Sequence, residues 1–197
     1  MRYDSEHKQQ TRIRVLDAAA TAIRTVGPDR VGVAGVMAEA GLTHGGFYAH
    51  FASKDDLVTA AIAHMFDQAG ERLRLETEGR EPDEALASYI DFYLSRKHRD
   101  ARGSGCPMAA LASDLPRLTD EARSIFSVGA RRHGDTLAGK LAELGRADAD
   151  AQARSAVAEL IGALSLARVE KDAKRSDAIL ETSKRSLKRR LGLDAAA

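Results

Sequence analysis

Hydrophobic positions between residues 33 and 54 recur at helical spacing and predict two short helices joined by a tight turn. Four apolar residues share one face of the first helix: Val33, Val36, Met37 and Ala40. Gly41 predicts the end of that helix, because glycine reaches positive φ without a Cβ clash. Thr43 is a suitable N-cap for a second helix that extends to about Phe51. Together these signals predict a helix-turn-helix.

The second helix separates large side chains from small ones. Phe47 and Phe51 fall on one side and are expected to face a core, whereas Tyr48 and His50 flank the opposite side. That opposite side carries only small residues: Gly45, Gly46 and Ala49. Each glycine costs a helix about 1 kcal/mol relative to alanine, so packing alone does not favour two of them. Close approach to a DNA groove does favour them. An ordinary helical corner is the alternative.

The rest of the chain also follows a helical pattern and contains no convincing strand of period two. Further helices are predicted over residues 6–26, 53–78, 83–97, 106–115, 119–144, 151–169 and 173–191. Ser53 is expected to cap one of them, with Asp55 and Asp56 in a first turn where acidic residues suit the helix dipole. The pattern therefore predicts an all-α protein of about nine helices.

Composition and charge narrow the function. The 197 residues are 44% hydrophobic and carry a net charge of only +1, which does not fit a protein that coats DNA without sequence preference. Residues 1–54 hold seven Lys/Arg against five acids, so any DNA contact must be local. The single cysteine excludes an intrachain disulfide. Because no apolar run of membrane-spanning length and no signal-peptide core is present, we expect a cytoplasmic protein.

The predicted N-terminal helix, residues 6–26, has one apolar stripe that comprises Ile13, Leu16, Ala20 and Ile23. Three of its cations lie outside that stripe: Lys8, Arg12 and Arg14. A solvated helix surface explains them. The alternative, that one of the early cations contacts a phosphate, stays open at this point.

Three short segments carry a family resemblance: Ala40-Gly41-Leu42-Thr43, Gly46-Phe47-Tyr48-Ala49-His50-Phe51 and Ser53-Lys54-Asp55-Asp56-Leu57. In this order, after one long N-terminal helix, they resemble the TetR family of transcriptional repressors. The resemblance is strong over residues of about 10–60, and the chain length is typical of the family. It implies a homodimer that represses transcription at a palindromic DNA operator and is released by a small-molecule effector.

The resemblance also implies which residues bind DNA: Thr43, His44, Gly45, Gly46, Tyr48, Ala49, His50 and Lys54. Tyr48 and Lys54 look like phosphate contacts, whereas His44 and the Gly45-Gly46 backbone are the favoured base-facing positions. His44 departs from the family, where a longer side chain, commonly Arg, is frequent in relatives with this Gly-Gly-Phe-Tyr sequence. An imidazole contact there would depend on pH. Gly32 stands where Ser or Thr is the usual cap of the first motif helix.

The predicted division is a helix-turn-helix DNA-binding domain over residues 1–52 and an effector-binding and dimerisation domain over residues 53–197. The last two helices have apolar faces rich in small residues: Ala153, Ala156, Val157, Leu160, Ala163, Leu164 and Ala167 on one, and Ile179, Leu180, Ser183, Leu187 and Leu191 on the other. We expect the homodimer to form through these two helices, with packing inside one chain as the alternative.

Aromatic, Met, Cys and His residues of the middle helices are candidates for effector binding: Tyr89, Tyr93, His98, Cys106, Met108, Leu111, Phe126 and His133. Cys106 precedes Pro107 at a predicted helix N-terminus, near Arg99 and Arg102, and such surroundings favour a reactive thiolate. A thiol-based redox or electrophile sensor is therefore an alternative function. A small buried cysteine is the simpler interpretation of the same residue.

The residues also bear on two further classes of protein, an enzyme and a helical ligand-binding protein. A thiol-dependent enzyme would use Cys106 with His98 or His133, but no Ser/His/Asp order, metal-spaced His/Cys cluster or phosphate-cradling glycine loop supports catalysis. A helical ligand-binding protein that has lost DNA binding is disfavoured by the presence of Tyr48 and Lys54. We therefore predict no catalytic residues, no cofactor and no metal, and the sequence does not disclose the effector, the operator or the regulated genes.

Overall fold

The computed structural model describes residues 2–193, with side chains from residue 6 onward, and this part of the chain is entirely helical. The all-α prediction is confirmed. Nine α-helices occur among the described residues: α1 (Arg2–Val26), α2 (Val33–Glu39), α3 (Lys54–Thr77), α4 (Pro82–Tyr93), α5 (Arg96–Asp100), α6 (Pro107–Leu111), α7 (Asp120–Glu143), α8 (Ala149–Val169) and α9 (Ala173–Leu191). Three 3-10 helices lie between them: His44–Ala49, Arg102–Ser104 and Leu115–Arg117. No helix within the described residues is long and apolar enough to cross a membrane.

Two predicted helices are wrong in extent. The helix expected over residues 83–97 is divided, because α4 ends at Tyr93 and Ser95 caps α5 by accepting a hydrogen bond from the His98 N–H at 3.1 Å. The helix expected over residues 106–115 stops at Leu111, and a 3-10 turn that contains Pro116 follows. A serine side chain able to cap a helix and a proline that cannot continue one explain both breaks.

The chain divides into two compact units. Unit one comprises Met1–Gln68 with Arg102–Ser127, and unit two comprises Ala69–Ala101 with Val128–Ala197. Helices α3 and α7 contribute residues to both units. The predicted functional division at residue 52 stays a prediction, and residues 1 and 194–197, at the ends of the predicted domains, lie outside the described residues.

The core of unit one is built on the apolar face of α1. Val15, Ala19, Ala20 and Ile23 are 1% exposed or less. Ile13, expected on the same stripe, is instead 45% exposed. The buried partners come from α2, the 44–49 helix and α3: Met37, Phe47, Phe51, Leu57, Ile62 and Met65. Burial of these apolar side chains is the main source of stability for the helix-turn-helix segment.

A buried arginine ties α1 to the rest of unit one. Arg24 is 8% exposed, and its two terminal nitrogens donate to the carbonyl oxygens of Gly103 and Met65 at 3.4 and 3.5 Å. Burial lowers the pKa of Arg24 to about 10, so the side chain stays charged at neutral pH. Gly103 approaches α1 closely, because a Cβ there would lie 3.0 Å from Cγ2 of Thr21. These contacts fix α1 against α3 and the 102–104 turn.

The turn of the helix-turn-helix ends α2 with paired backbone hydrogen bonds. The Leu42 N–H donates to the Met37 carbonyl at 2.9 Å and the Gly41 N–H donates to the Ala38 carbonyl at 3.0 Å, the two bonds of a Schellman motif. Gly41 has φ of +72°, which confirms the predicted glycine stop. Gly32 caps the other end of α2 without a side-chain hydrogen bond.

Replacing Gly41 by alanine is expected to lower the free energy of unfolding by about 1 kcal/mol, because a Cβ is strained at positive φ. Gly35→Ala is the matched control. Gly35 lies inside α2 with an ordinary φ and nothing within 4 Å of an added Cβ, so alanine there should raise stability. Urea unfolding followed by circular dichroism measures both changes. Equal effects of the two substitutions would contradict the assignment of Gly41 to the turn.

Candidate nucleic-acid interface and effector-binding residues

The second helix of the motif is wound as a 3-10 helix, His44–Ala49, and not as the predicted α-helix to Phe51. The Gly46 N–H donates to the Thr43 carbonyl at 3.1 Å and the His50 N–H donates to the Phe47 carbonyl at 2.9 Å, both with the i to i+3 spacing of such a helix. Two glycines weaken α-helix propensity in so short a segment. Thr43 takes the predicted N-cap position, but its side chain makes no capping hydrogen bond.

Two phenylalanines anchor this helix in unit one. Phe47 and Phe51 are each 2% exposed, and their rings stack with centroids 5.7 Å apart. The ring of Tyr48 meets the Phe47 ring edge-on at 5.2 Å. The aromatic packing therefore fixes the helix about its own axis and supports Tyr48 at the surface.

Five of the eight predicted DNA-binding residues are exposed on the outer side of the motif: Thr43, His44, Gly45, Tyr48 and Ala49. Tyr48 is 72% exposed. A Cβ added at Gly45 would meet nothing within 4 Å, and the φ of this residue is not in the left-handed region. Nothing within unit one therefore requires glycine at position 45, and a requirement for it would have to come from a partner.

His50 is less exposed than the sequence predicted. His50 is the C-cap that follows the last residue of the 3-10 helix, Ala49, and its ring lies 6.4 Å from the buried Phe51 ring between centroids. It is half-buried, and its Nδ1 is buried without a hydrogen-bond partner. The pKa of His50 is lowered by burial and by the positive charges of Lys8 and Arg12. His50 is therefore mainly neutral at neutral pH.

Lys54 begins α3 and has a partner inside unit one. Its Nζ donates to the carbonyl oxygen of Asp29 at 2.8 Å, which leaves further N–H donors for another acceptor. The predicted cap of α3 is confirmed, because Ser53 Oγ accepts from the Asp56 N–H at 3.1 Å. The Asp56 carboxylate accepts in turn from the Ala52 N–H at 2.8 Å. These bonds set the position of Lys54 beside the 44–49 helix.

Four of the predicted effector residues lie together in unit two. The Tyr89 hydroxyl and His133 Nε2 are 2.6 Å apart, and burial lowers the pKa of His133 to about 4. The rings of Tyr93 and His98 meet edge-on at 4.8 Å, and His98 Nδ1 lies 2.8 Å from the Tyr93 carbonyl oxygen. Sequence reasoning missed Phe92, which stacks on His98 at 5.1 Å. The signal for Phe92 in the sequence was its aromatic side chain, one position before Tyr93.

The other four predicted effector residues belong to unit one. Cys106, Met108 and Leu111 are buried in and beside α6, and Phe126 packs edge-on against Phe66 at 5.1 Å. The predicted set thus falls into two groups in different units. Unit one also has a surface cleft of about 420 Å³, and none of the eight predicted effector residues lines it. Its lining comprises residues 23–30, Ala110, Asp114 and Arg117.

The sequence matches known regulators over the helix-turn-helix. Residues 15–61 match the family model described as bacterial regulatory proteins, tetR family. An uncharacterized HTH-type transcriptional regulator, YfiR, from Bacillus subtilis (strain 168) is 27% identical over 103 residues. That match covers 52% of this chain and 50% of the relative, so the chain spans about half the length of YfiR.

Solved structures resemble the fold over nearly the whole chain. A TetR transcriptional regulator from Chloroflexus aurantiacus J-10-FL superposes with a TM-score of 0.81 at 23% identity, over 95% of this chain and 96% of that one. A TetR-family transcriptional regulator from Agrobacterium tumefaciens has a TM-score of 0.76 at 27% identity, over 90% of this chain and 97% of that one.

The buried imidazole of unit two should make stability depend on pH. His133 has a pKa of about 4 when folded but an ordinary value when unfolded, so only the unfolded chain takes up its proton as the pH falls from about 6.5 to about 4. We expect His133 to remove about 3 kcal/mol of unfolding free energy across that interval. The double variant Tyr89→Phe/His133→Leu, which leaves no unpaired buried partner, should lack this contribution. Urea unfolding of both proteins over this pH range tests it, and identical pH profiles would contradict it.

Proposed function

The chain belongs to the TetR family of bacterial regulatory proteins, and on that premise we propose that it is a homodimeric, sequence-specific DNA-binding repressor that a small molecule releases from its operator. Residues 1–52 would read DNA, and residues 53–197 would bind the effector and dimerise. The observation that carries the proposal is the outer face of the 44–49 helix, where the small residues Gly45 and Ala49 lie beside the exposed His44 and Tyr48, and the rings of Phe47 and Phe51 are stacked beneath.

The small residues of this face would let the backbone enter the major groove. Gly45 has open space on its outer side, and Gly46 would place a Cβ 3.7 Å from Met37 Cε, an ordinary contact. An added Cβ would therefore fit at both positions as far as the fold is concerned. Close approach to base edges supplies a reason for glycine that the fold does not. His44, exposed at the start of the helix, would contact base edges.

Tyr48 and Lys54 would contact phosphates and fix the position of the helix on the duplex. The Tyr48 hydroxyl extends from a side chain that is 72% exposed, and Lys54 Nζ is oriented by the Asp29 carbonyl. Phosphate contacts position a protein on DNA without reading its sequence. With a net charge of only +1, the chain depends on such local contacts for its affinity.

Binding to a duplex selected from a random-sequence pool by the wild-type protein tests the DNA-binding role. Gly45→Ala is expected to weaken binding about tenfold, or roughly 1.4 kcal/mol, because its methyl group would separate the helix from the groove. Tyr48→Phe should weaken binding to all sequences alike, whereas His44→Ala should change the preferred sequence on reselection. Fluorescence anisotropy gives the dissociation constants.

Gly139→Ala is the matched control, since Gly139 is a helical glycine of α7 with nothing within 4 Å of an added Cβ. It should leave DNA affinity unchanged. Neither glycine substitution should lower the melting temperature. If the wild-type protein selects no common sequence, or if Gly45→Ala binds as the wild type does, the proposed interface is wrong.

The effector would bind in the helical domain, and the Tyr89–His133 pair would supply polar groups in an otherwise apolar setting. The hydroxyl and imidazole are both buried, so they would act on a ligand only where they face its polar atoms. The thiol-sensor alternative rests on Cys106, the single cysteine of the chain, which is 6% exposed. It stays a prediction. If alkylation of Cys106 leaves the operator affinity unchanged, the thiol-sensor alternative is wrong.

The dimer would use surfaces of α8 and α9 other than their small-residue faces. The residues of those faces that lie deepest are buried within one chain: Ala153, Ala156, Leu160, Ala163, Leu164, Ala167, Leu180, Leu187 and Leu191. The alternative of internal packing therefore accounts for them. Leu166 and Val169 of α8 remain 59% and 74% exposed, as expected of apolar side chains that a second copy would cover.

Leu166→Glu is expected to convert the dimer to a monomer, because a carboxylate enclosed in an apolar interface is strongly unfavourable. Leu75→Glu is the control, since Leu75 of α3 is 50% exposed and lies outside the last two helices. Sedimentation equilibrium gives the mass of each variant. A dimeric Leu166→Glu protein, or a monomeric wild type, would contradict an interface at this part of α8.

A further inference from the structure

Two nitrogen-bearing side chains approach the same aromatic ring beside the 44–49 helix: Arg12 of α1 lies over Phe51, and the His50 ring lies 6.4 Å from the Phe51 ring between centroids. Lys8 lies one turn before Arg12 on α1, and we call Lys8, Arg12 and His50 the α1 cation cluster. Neither Lys8 nor Arg12 forms an ion pair with a described residue. The sequence left two explanations for the early cations of α1, a solvated surface or a phosphate contact. The surroundings of Arg12 and His50 distinguish between them.

Arg12 is packed against the aromatic base of the motif and is not a freely solvated side chain. Its guanidinium carbon lies 4.4 Å from the centroid of the Phe51 ring, and its Nη1 is buried without a hydrogen-bond partner. Arg14, on the same helix, is exposed and bonds only to Thr11 one turn away. A guanidinium held over a ring has lost part of its hydration and few of its rotamers remain free, so an anion would bind it with little further ordering.

His50 lies in the same positive environment. The charges that act on its imidazole come from Lys8 and Arg12 of α1, and both disfavour protonation. Its Nδ1 is buried without a partner, like Nη1 of Arg12. Unpaired buried polar atoms are unfavourable, and two of them close to cations suit an anionic ligand that would accept hydrogen bonds there. Both residues are only half-buried, so the cluster is open to a ligand at the surface of unit one.

We propose that the α1 cation cluster binds a backbone phosphate of the bound DNA and that His50 takes up a proton from solvent as it does so. The proposal rests on the proposed DNA-binding function and adds α1 to the predicted DNA-binding residues. The non-bridging phosphate oxygens accept hydrogen bonds from the guanidinium, the ammonium and the imidazolium. The phosphate charge offsets the repulsion that Lys8 and Arg12 exert on a protonated His50, so binding and protonation favour each other.

The phosphate contact is tested by the salt dependence of binding to the duplex selected by the wild-type protein. Each phosphate contact that is lost should reduce the slope of log affinity against log salt by about 1. Lys8→Met and Arg12→Met are expected to show this reduction and to weaken binding without changing the preferred sequence. Lys8 is exposed, so its substitution cannot disturb the core. Arg12→Lys should restore part of the slope.

Arg14→Met is the matched control, because it removes the same charge from the same helix at a side chain that contacts neither His50 nor Phe51. Its salt slope should equal that of the wild type. If Lys8→Met and Arg12→Met keep the wild-type slope, or if Arg14→Met reduces it as much as they do, the phosphate site at the cluster is wrong.

Proton uptake is tested by the pH dependence of the same affinity. His44 is replaced by Gln in every protein of this series, so that His50 is the one imidazole in residues 43–54. In that background, affinity should rise as the pH falls from about 8 to about 6, by up to about tenfold per unit between the free and bound pKa values of His50. Adding His50→Gln should remove the rise. Equal pH profiles with and without His50 would overturn the proton linkage.

These outcomes separate the inference from the function on which it rests. A wild-type protein that selects no DNA sequence would refute the proposed repressor. The other case is specific binding that Gly45→Ala weakens, with salt and pH profiles that do not change when the α1 cation cluster is substituted. In that case the proposed repressor stands and the α1 phosphate site is wrong.

Discussion

The stacked side chains of Phe47 and Phe51 hold the 44–49 helix in unit one, and the geometry of the candidate DNA-binding face depends on them. Six residues cannot form a stable helix alone, so this segment takes its conformation from the two rings buried beneath it. Once the rings are inward, Gly45 and Tyr48 lie on the outer side, whereas Gly46 faces the buried Met37. The same aromatic base supports Tyr48 through an edge-on contact and Arg12 through its ring face. Folding energy and functional orientation therefore come from the same contacts.

The cationic side chains of this protein act through local contacts. Arg24 is fixed by two carbonyls inside unit one and Lys54 by the Asp29 carbonyl, so each of these cations also has a structural role. Among the described residues Lys8 and Arg12 form no ion pair, and together with burial they lower the pKa of the nearby His50 imidazole. A chain of nearly zero net charge can still bind a polyanion when several of its cations lie close together at one edge of the 44–49 helix.

Local sequence signals predicted helix ends well where one residue decides them. Gly41 ends α2 through its positive φ, Ser53 caps α3, and Pro107 begins α6, each as predicted. The break between α4 and α5 was missed, although Ser95 supplies a cap, because the predicted helix was extended past its last apolar residue, Leu94, into the polar residues that follow. The exposure of Ile13 was also missed, since periodicity shows which face is apolar but not how far the neighbouring helices extend along it.

The sequence by itself determined the all-helical class, the helix-turn-helix with its small outer face, and the exposed positions of His44, Gly45 and Tyr48, because these follow from residues a few positions apart. Only the tertiary structure decided that the 44–49 helix is 3-10 and that His50, at its C-cap, lies close to Phe51 and to the charges of α1. It also decided that the small-residue faces of α8 and α9 are covered within one chain and that the predicted effector residues divide between two units. Burial and charge environment depend on side chains that are distant in sequence, so no local pattern specifies them.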